Sequence, residues 1–233
     1  MTATEVDVWL AAPSGELACR GAALLSAEER ARDALFQHAG AREQFLVGRW
    51  LLRTVVGARL GLAPEAVPLV EVDRGALAVP VPSNPGDVRF NLSHTDGLVA
   101  VAITAGREVG VDVEDTRRRG RTVELADRFF SPEEVTALRA LPAGAAQRDR
   151  FFRLWTLKES YIKARGQGLA IPLAGFRFTL DEPGATINFS ARPGVDPDPT
   201  RWRFVGLRPT RRHQLAVAVA SAAPLRVRVR WAG

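Results

Sequence analysis

Cysteine is nearly absent from this chain. Cys19 is the only one in 233 residues, which excludes an internal disulfide and a thiolate metal cluster. Lysine is almost as scarce: of 32 basic residues only Lys158 and Lys163 are lysine, and all others are arginine. No stretch approaches the roughly 18–20 uninterrupted apolar residues of a membrane span. Met1 to Leu10 carries Glu5 and Asp7 and no basic run, so no secretory signal is expected and the location read from the sequence is cytoplasmic. Also missing are a Gly-x-x-x-x-Gly-Lys phosphate loop, a His-Glu-x-x-His helix, a Gly-x-Gly-x-x-Gly turn after a strand and a Gly-x-Ser-x-Gly elbow. What is present suits a globular chain, 46% hydrophobic and 25% charged, long enough for one large domain or two small ones. The formal charge of +6 admits nucleic acid, a phosphate-rich ligand or an acidic protein as partner.

Glu5 to Ala11 reads as a strand, and Ser26-Ala-Glu-Glu29 is a capping box opening a helix. A second helix, Ala41 to Leu60, stops at Gly61 and Pro64. Leu62 to Asp87 reads as loops with one short strand near Val70. Val88 to Ser93, Leu98 to Thr104 and Val109 to Glu114 are apolar strands joined by turns at Asp96-Gly97 and at Ala105 to Glu108. They are expected to form an antiparallel meander with Glu114 near Val99 and Val99 near Leu92. An arginine-rich loop follows (Arg117, Arg118, Arg119, Arg121), then a helix to Phe129. Ser131-Pro-Glu-Glu134 caps another helix, Gln147 to Arg165 makes a long one, and five strands run from Phe176 to Trp231. The apolar run Gly97 to Thr104 is echoed by Gln214 to Ser221. The expected fold class is therefore α+β with two similar halves, 1–106 and 107–233, and a ligand in the cleft between them.

Asp112 and Glu114, two apart on a strand, share a face. They form either an exposed polar face paired with Arg117 to Arg119, or a buried pair that needs a cation. The helix Arg150 to Arg165 bears on that choice. Glu159 lies at i+4 from Trp155, beside the apolar stripe of Phe151, Leu154, Trp155 and Ile162, and Lys163 follows one turn later. A plain helical ion pair of about 0.3–0.5 kcal/mol is one reading of Glu159 and Lys163. The other is a hard, oxygen-loving cation such as magnesium on three carboxylates, with no histidine nearby in sequence and Lys163 in reach of a phosphate. Ser93-His94, at the same end of the sheet, is ambiguous by itself, a lone histidine being more often a structural hydrogen-bonder than a ligand contact.

Phe90-Asn-Leu-Ser-His94, Gly110-Val-Asp-Val-Glu114, Phe129-Phe-Ser131, Trp155-Thr-Leu-Lys-Glu-Ser-Tyr-Ile-Lys163 and Gly166-Gln-Gly-Leu169 together resemble the Sfp-type 4′-phosphopantetheinyl transferases in order and spacing. The resemblance runs from about Leu24 to Ala220. It implies an intramolecular pseudo-dimer of two α+β halves, monomeric as a chain. It also implies transfer of the phosphopantetheine arm of coenzyme A to a serine of an acyl or peptidyl carrier protein, with release of 3′,5′-ADP. Carried over by position, Asp112, Glu114 and Glu159 would hold Mg2+, and Glu159 would take the serine proton. Lys163 would stabilise the pyrophosphate, with Lys158 as a secondary contact. Ser93 and His94 would bind the 3′-phosphate, and Arg30 and Arg32 would approach the adenosine end beside the helix Arg42 to Arg53. Where the family commonly has Gly-Lys-Pro, this chain has Gly75-Ala-Leu77, so Arg74 is the expected substitute for the lost lysine. An acidic carrier is expected to dock near Arg117 to Phe130. Two rival readings follow from the same residues. One is a nucleic-acid-binding module, from the charge and Arg226-Val-Arg-Val-Arg-Trp231. The other is a catalytically dead coenzyme A binder, from Ala76. No nucleic-acid motif is present, and alternating arginines on a terminal strand more often protect an edge.

Overall fold

The computed structural model describes residues 2–72, 76–118, 123–167, 170–181 and 186–233. Its first strand, β1 (Thr4–Ala11), is followed by α1 (Gly15–Ala23), α2 (Ala27–Asp33) and α3 (Ala39–Leu60). A small ribbon, β2 (Val70–Glu71) with β3 (Leu77–Ala78), precedes three longer strands, β4 (Val88–Thr95), β5 (Leu98–Ala105) and β6 (Val109–Asp115). The second part holds α4 (Ala126–Phe129), α5 (Pro132–Arg139) and α6 (Ala145–Ala164). It then continues with β7 (Phe176–Leu180), β8 (Ile187–Ala191), β9 (Trp202–Thr210), β10 (His213–Ala220) and β11 (Leu225–Trp231).

Two sheets face each other, ordered β11-β1-β5-β4 and β6-β10-β9. Period-2 alternation builds the layers. Leu98, Ala100 and Ala102 of β5 meet Leu215, Val217 and Val219 of β10, with Val6, Val8 and Leu10 of β1 and Val109, Val111 and Val113 of β6, in a core between the sheets. The opposite faces differ in partner: Val99, Val101 and Ile103 pack on α3, and Ala216 and Ala218 pack on the side of α6. The chain is thus an α+β stack, helix–sheet–sheet–helix.

The meander ends one strand early. β4 and β5 pair antiparallel as expected but two residues out of the expected register, since Val99 stands opposite His94 and Leu92 opposite Val101. β6 does not continue that sheet. It pairs with β10, Glu114 opposite Gln214 and Asp112 opposite Ala216. Side chains of β4 meet its other edge. Asn91 Oδ1 accepts from Val111 N at 3.0 Å, Ser93 Oγ from Val113 N at 3.3 Å and Thr95 Oγ1 from Asp115 N at 3.1 Å. Polar residues at every second position of β4 thus satisfy the edge amides of β6 without a backbone ladder. The expected neighbourhood of Ser93, His94 and Glu114 is kept, though the expected pairing is not. β11 returns to run parallel beside β1, and its Arg228 pairs with Asp7 at 2.8 Å and Glu5 at 3.0 Å. Among the described residues no helix is long and apolar enough to cross a membrane.

Candidate active site

Close packing of β6 on α6 creates the site. A Cβ on Gly110 would collide with the Ser160 carbonyl and the Ala164 amide, so strand and helix approach to a distance only glycine permits. Asp112 and Glu114, on the same face as Gly110, are thereby set beside Glu159 and Lys163. Further along α6, Tyr161 Oη donates to the Asp196 carboxylate at 2.6 Å, and Trp202 Nε1 donates to it at 2.8 Å. That buried tie fixes the helix end that carries Lys163.

Three elements supply one hydrogen-bonded cluster. Lys163 Nζ donates to Asp112 Oδ1 at 2.7 Å and to Ser93 Oγ at 2.9 Å, and Ser93 Oγ donates to Asp112 Oδ1 at 3.1 Å. Burial raises the Asp112 carboxyl against the opposing pull of Lys163. Its second oxygen, Oδ2, is buried without a hydrogen-bond partner. Burial and the charge of Asp112 push Glu114 up to about 7, with Arg118 opposing from 3.7 Å. Burial, then Asp112 and Glu114, against the attraction of Lys163, push Glu159 up to about 7 as well. A single ammonium among three carboxylates leaves the cluster short of positive charge. The donors, oxygens only, suit a hard divalent cation, and the unpartnered Asp112 Oδ2 is a free ligand atom for one. The expected three-carboxylate cage is not preformed: among the described residues no three acidic, histidine or cysteine side chains stand as a group that could hold a metal ion.

Ser93 and His94 do not share a target. Alternation on β4 sends Ser93 inward to Lys163 and sends His94 to the other face, where its Nδ1 lies 2.9 Å from Gln44 Oε1. There His94 lines a small cleft of about 190 Å³ with Arg32, Arg49 and Phe45. Crowding by the cleft walls, then Lys163 and Arg49, hold its imidazole below the ordinary value. Arg49 is buried against Glu29 at 2.8 Å and stacks over Phe45 at 4.8 Å. Arg32 stays half-exposed over the same ring at 5.7 Å. A larger cavity of about 670 Å³ adjoins this cleft through Ala76, Leu77, Phe90 and Asn91 and reaches Lys163. Ala76, at the position of the missing lysine, lines both.

Two of the basic residues expected to meet the ligand are placed elsewhere. Lys158 is fully buried on the far face of α6, where it pairs with Glu134 at 2.7 Å. It also donates to the Leu173 and Phe176 carbonyls at 2.9 and 2.8 Å. Successive residues of a helix point about 100° apart, so Lys158 and Glu159 cannot serve one site. Arg30 is spent on the Leu25 carbonyl at 2.5 Å and lines neither cavity. Arg74, Arg119 and Arg121 lie outside the described residues. Asn91, Thr95, Gln44 and Arg49 join the site without having been singled out. The alternation of Asn91, Ser93 and Thr95 with Phe90 and Leu92 was the available signal for the first two.

The site is thus a carboxylate–lysine cluster beside a basic cleft, carried on an α+β stack. Residues 108–220 match the 4′-phosphopantetheinyl transferase superfamily. The 4′-phosphopantetheinyl transferase HetI of Nostoc sp. is 39% identical over 149 residues, covering 64% of this chain and 62% of its own length. A 4′-phosphopantetheinyl transferase of Bacillus subtilis is 33% identical over 162 residues, covering 70% of this chain and 69% of its own. The transferase Sfp of Bacillus subtilis strain 168 is 32% identical, over 69% of this chain and 68% of its own. Among solved structures, a holo-(acyl-carrier-protein) synthase from Bacillus anthracis in complex with CoA (3′,5′-ADP) is 15% identical with a TM-score of 0.38, over 48% of this chain and 93% of that one. The chain belongs to the 4′-phosphopantetheinyl transferase superfamily, in its Sfp-type branch. It spans between 62% and 69% of the length of these curated relatives.

Proposed function

We propose that this protein transfers the 4′-phosphopantetheine arm of coenzyme A to a serine hydroxyl of an acyl or peptidyl carrier protein. The observation that carries the reading is the meeting of Ser93, Asp112 and Lys163 in one cluster, with Glu114 and Glu159 titrating near neutrality beside the basic His94 cleft. In the reaction the serine oxygen forms a bond to the phosphorus that bears pantetheine. The bond from that phosphorus to the bridging oxygen breaks, and 3′,5′-ADP departs. Glu159, beside Lys163 on α6, is the candidate for taking the serine proton, directly or through water. Lys163 lines the larger cavity, where its ammonium would offset charge developing on the leaving oxygen of a bound pyrophosphate. Asp112, Glu114 and Glu159 would hold Mg2+, which neutralises and orients the pyrophosphate when bound. His94, Arg49 and Arg32 take the 3′-phosphate and adenosine end, while Ser93 orients Lys163 and Asp112.

The carrier docks along Arg117 to Phe130. Arg117 and Arg118 are largely exposed there, Leu125 presents apolar surface, and Arg118 touches Glu114. Basic residues around a small apolar contact suit an acidic recognition helix. The division into halves at 1–106 and 107–233, a monomeric state and a cytoplasmic location belong to the same reading.

The test is the intact mass of an apo carrier after incubation with the protein, coenzyme A and magnesium. A gain of one phosphopantetheinyl group is expected, abolished by EDTA and by Glu159→Ala. Coenzyme A binding without mass gain on several carriers would establish the rival reading, a degenerate binder with Ala76 in place of a phosphate-binding lysine.

A further inference from the structure

β11 leaves one long edge of the fold open. Among the described residues it pairs with β1 alone, while β4, at the other end of the same sheet, is joined to β6 by side chains. The bonds at its two ends show which way its peptide groups point. Pro224 O accepts from Thr4 N, and Ala232 N donates to Leu10 O, both at 2.9 Å. Alternation along the strand therefore aims the even-numbered peptide groups at β1 and turns the N–H and C=O of Val227, Val229 and Trp231 outward. The side chains sort the same way. Leu225 and Val227 pack on the core between the sheets, and their row continues into Val229 and Trp231, which stand 44% and 52% exposed. The opposite face carries Arg226, Arg228 and Arg230, with Arg59 of α3 beside them. Asp7 takes Arg228 at 2.8 Å, Arg59 at 3.2 Å and Arg230 at 3.8 Å, while Glu5 takes Arg228 at 3.0 Å and stands opposite Arg226. Four arginines thus meet two carboxylates, and this face keeps a positive surplus.

We propose that β11 is a docking edge for an extended acidic segment of another protein, one that alternates acidic with apolar residues and adds to the sheet as a further strand. The outward peptide groups pair with the backbone of such a segment. Its acidic side chains fall on the arginine face, and its apolar ones fall beside Val229 and Trp231. The arginines also exclude a second copy of this chain. In an antiparallel pair of β11 strands, even-numbered residues stand against even-numbered ones, so two arginine rows would lie about 5 Å apart. An arginine row that guards the edge against its own kind is the same row that admits a strand of opposite charge. This surface takes no part in the transfer proposed above and does not rest on it.

The probe is a capped peptide of alternating glutamate and valine, titrated into the full chain at low salt and followed by tryptophan fluorescence and amide hydrogen exchange. Saturable binding below millimolar peptide is expected, with exchange slowed at the Val229 and Trp231 amides. Raising the salt to several hundred millimolar should weaken it at least tenfold. A peptide of the same composition, glutamates in one block and valines in the other, should bind at least tenfold more weakly. Val229→Pro removes an outward N–H and no bond to β1, as edge strands tolerate. It and Arg226→Glu should each weaken the alternating peptide at least tenfold with the circular dichroism spectrum unchanged. No binding up to millimolar peptide, equal binding of the two peptides, or binding indifferent to both substitutions overturns the proposal. A single-stranded oligonucleotide that binds more tightly and ignores Val229→Pro would assign the arginines to nucleic acid. A concentration-dependent dimer lost in Val229→Pro would assign the edge to a second copy. Either result also overturns it.

Discussion

Two lysines on one helix show how a residue's neighbours decide its task. Lys163 is partly open to the larger cavity and shares its ammonium with Ser93 and Asp112, so its charge is available to a ligand phosphate. Lys158 is sealed between Glu134, two carbonyls and the Phe176 ring at 4.5 Å. Glu134 in turn caps α5 through Ser131 N at 2.8 Å and accepts from Phe178 N at 2.8 Å. Removing the lysine would leave a buried carboxylate without its counter-charge, a loss on the order of 3–5 kcal/mol. Lys158→Ala is therefore expected to lower the urea midpoint sharply at unchanged slope, with KM for coenzyme A unaltered at a temperature where the variant stays folded. A raised KM with normal stability would return Lys158 to the ligand. Lys163→Ala should lower the rate of carrier loading about 10²-fold or more, assayed at a temperature where the variant stays folded, since it also leaves the buried Asp112 carboxylate without its counter-charge.

At the scale of elements, the site depends on how closely β6 lies on α6. Gly110 sets that distance, and the added methyl of Gly110→Ala must push the helix away because the atoms it meets are helix backbone and not a flexible side chain. A displacement on the order of 1 Å costs roughly 10²-fold in rate where positioning does the catalysis. We expect Gly110→Ala to lose about that factor in carrier loading with secondary structure retained by circular dichroism; near-wild-type loading would mean that the spacing is not limiting. Much of this geometry was legible in the sequence. The strands over Val88–Glu114, the capping boxes at Ser26 and Ser131, and the long helix ending near Arg165 followed from period and end signals, which are local. The partner of β6 was not legible. A strand after a tight turn normally pairs with its predecessor, and only the tertiary stack reveals that Asn91, Ser93 and Thr95 cap it by side chain instead. The parallel pairing of β11 with β1 joins the chain's two ends and leaves no local trace for the same reason. The separate fates of Ser93 and His94 follow from strand alternation, which sends adjacent residues to opposite faces.

The whole molecule holds its site at the junction of the two sheets, so the charge imbalance there bears on global stability. Glu114 and Glu159 each sit at about 7 where an unfolded glutamate sits at 4.5. The folded chain therefore binds these protons more tightly than the unfolded one. Their contribution to stability is fully present below about pH 4.5 and is lost as pH rises through about 7, because ionisation forces repelling carboxylates to share a buried site. A divalent cation has the opposite dependence, competing with protons at low pH and relieving the repulsion at high pH. Melting temperature measured from pH 5 to 8 in EDTA should accordingly carry a downward component across this range. Magnesium should raise the melting temperature at pH 8, by about 2–4 °C for each kcal/mol of binding energy in a chain of this size, and by little at pH 5. The double variant Glu114→Gln, Glu159→Gln should remove both the downward component and the magnesium response. If magnesium stabilised the wild type equally at pH 5 and pH 8, or the double variant kept its response, the cation would be binding away from these carboxylates. Their elevated protonation would then reflect burial alone.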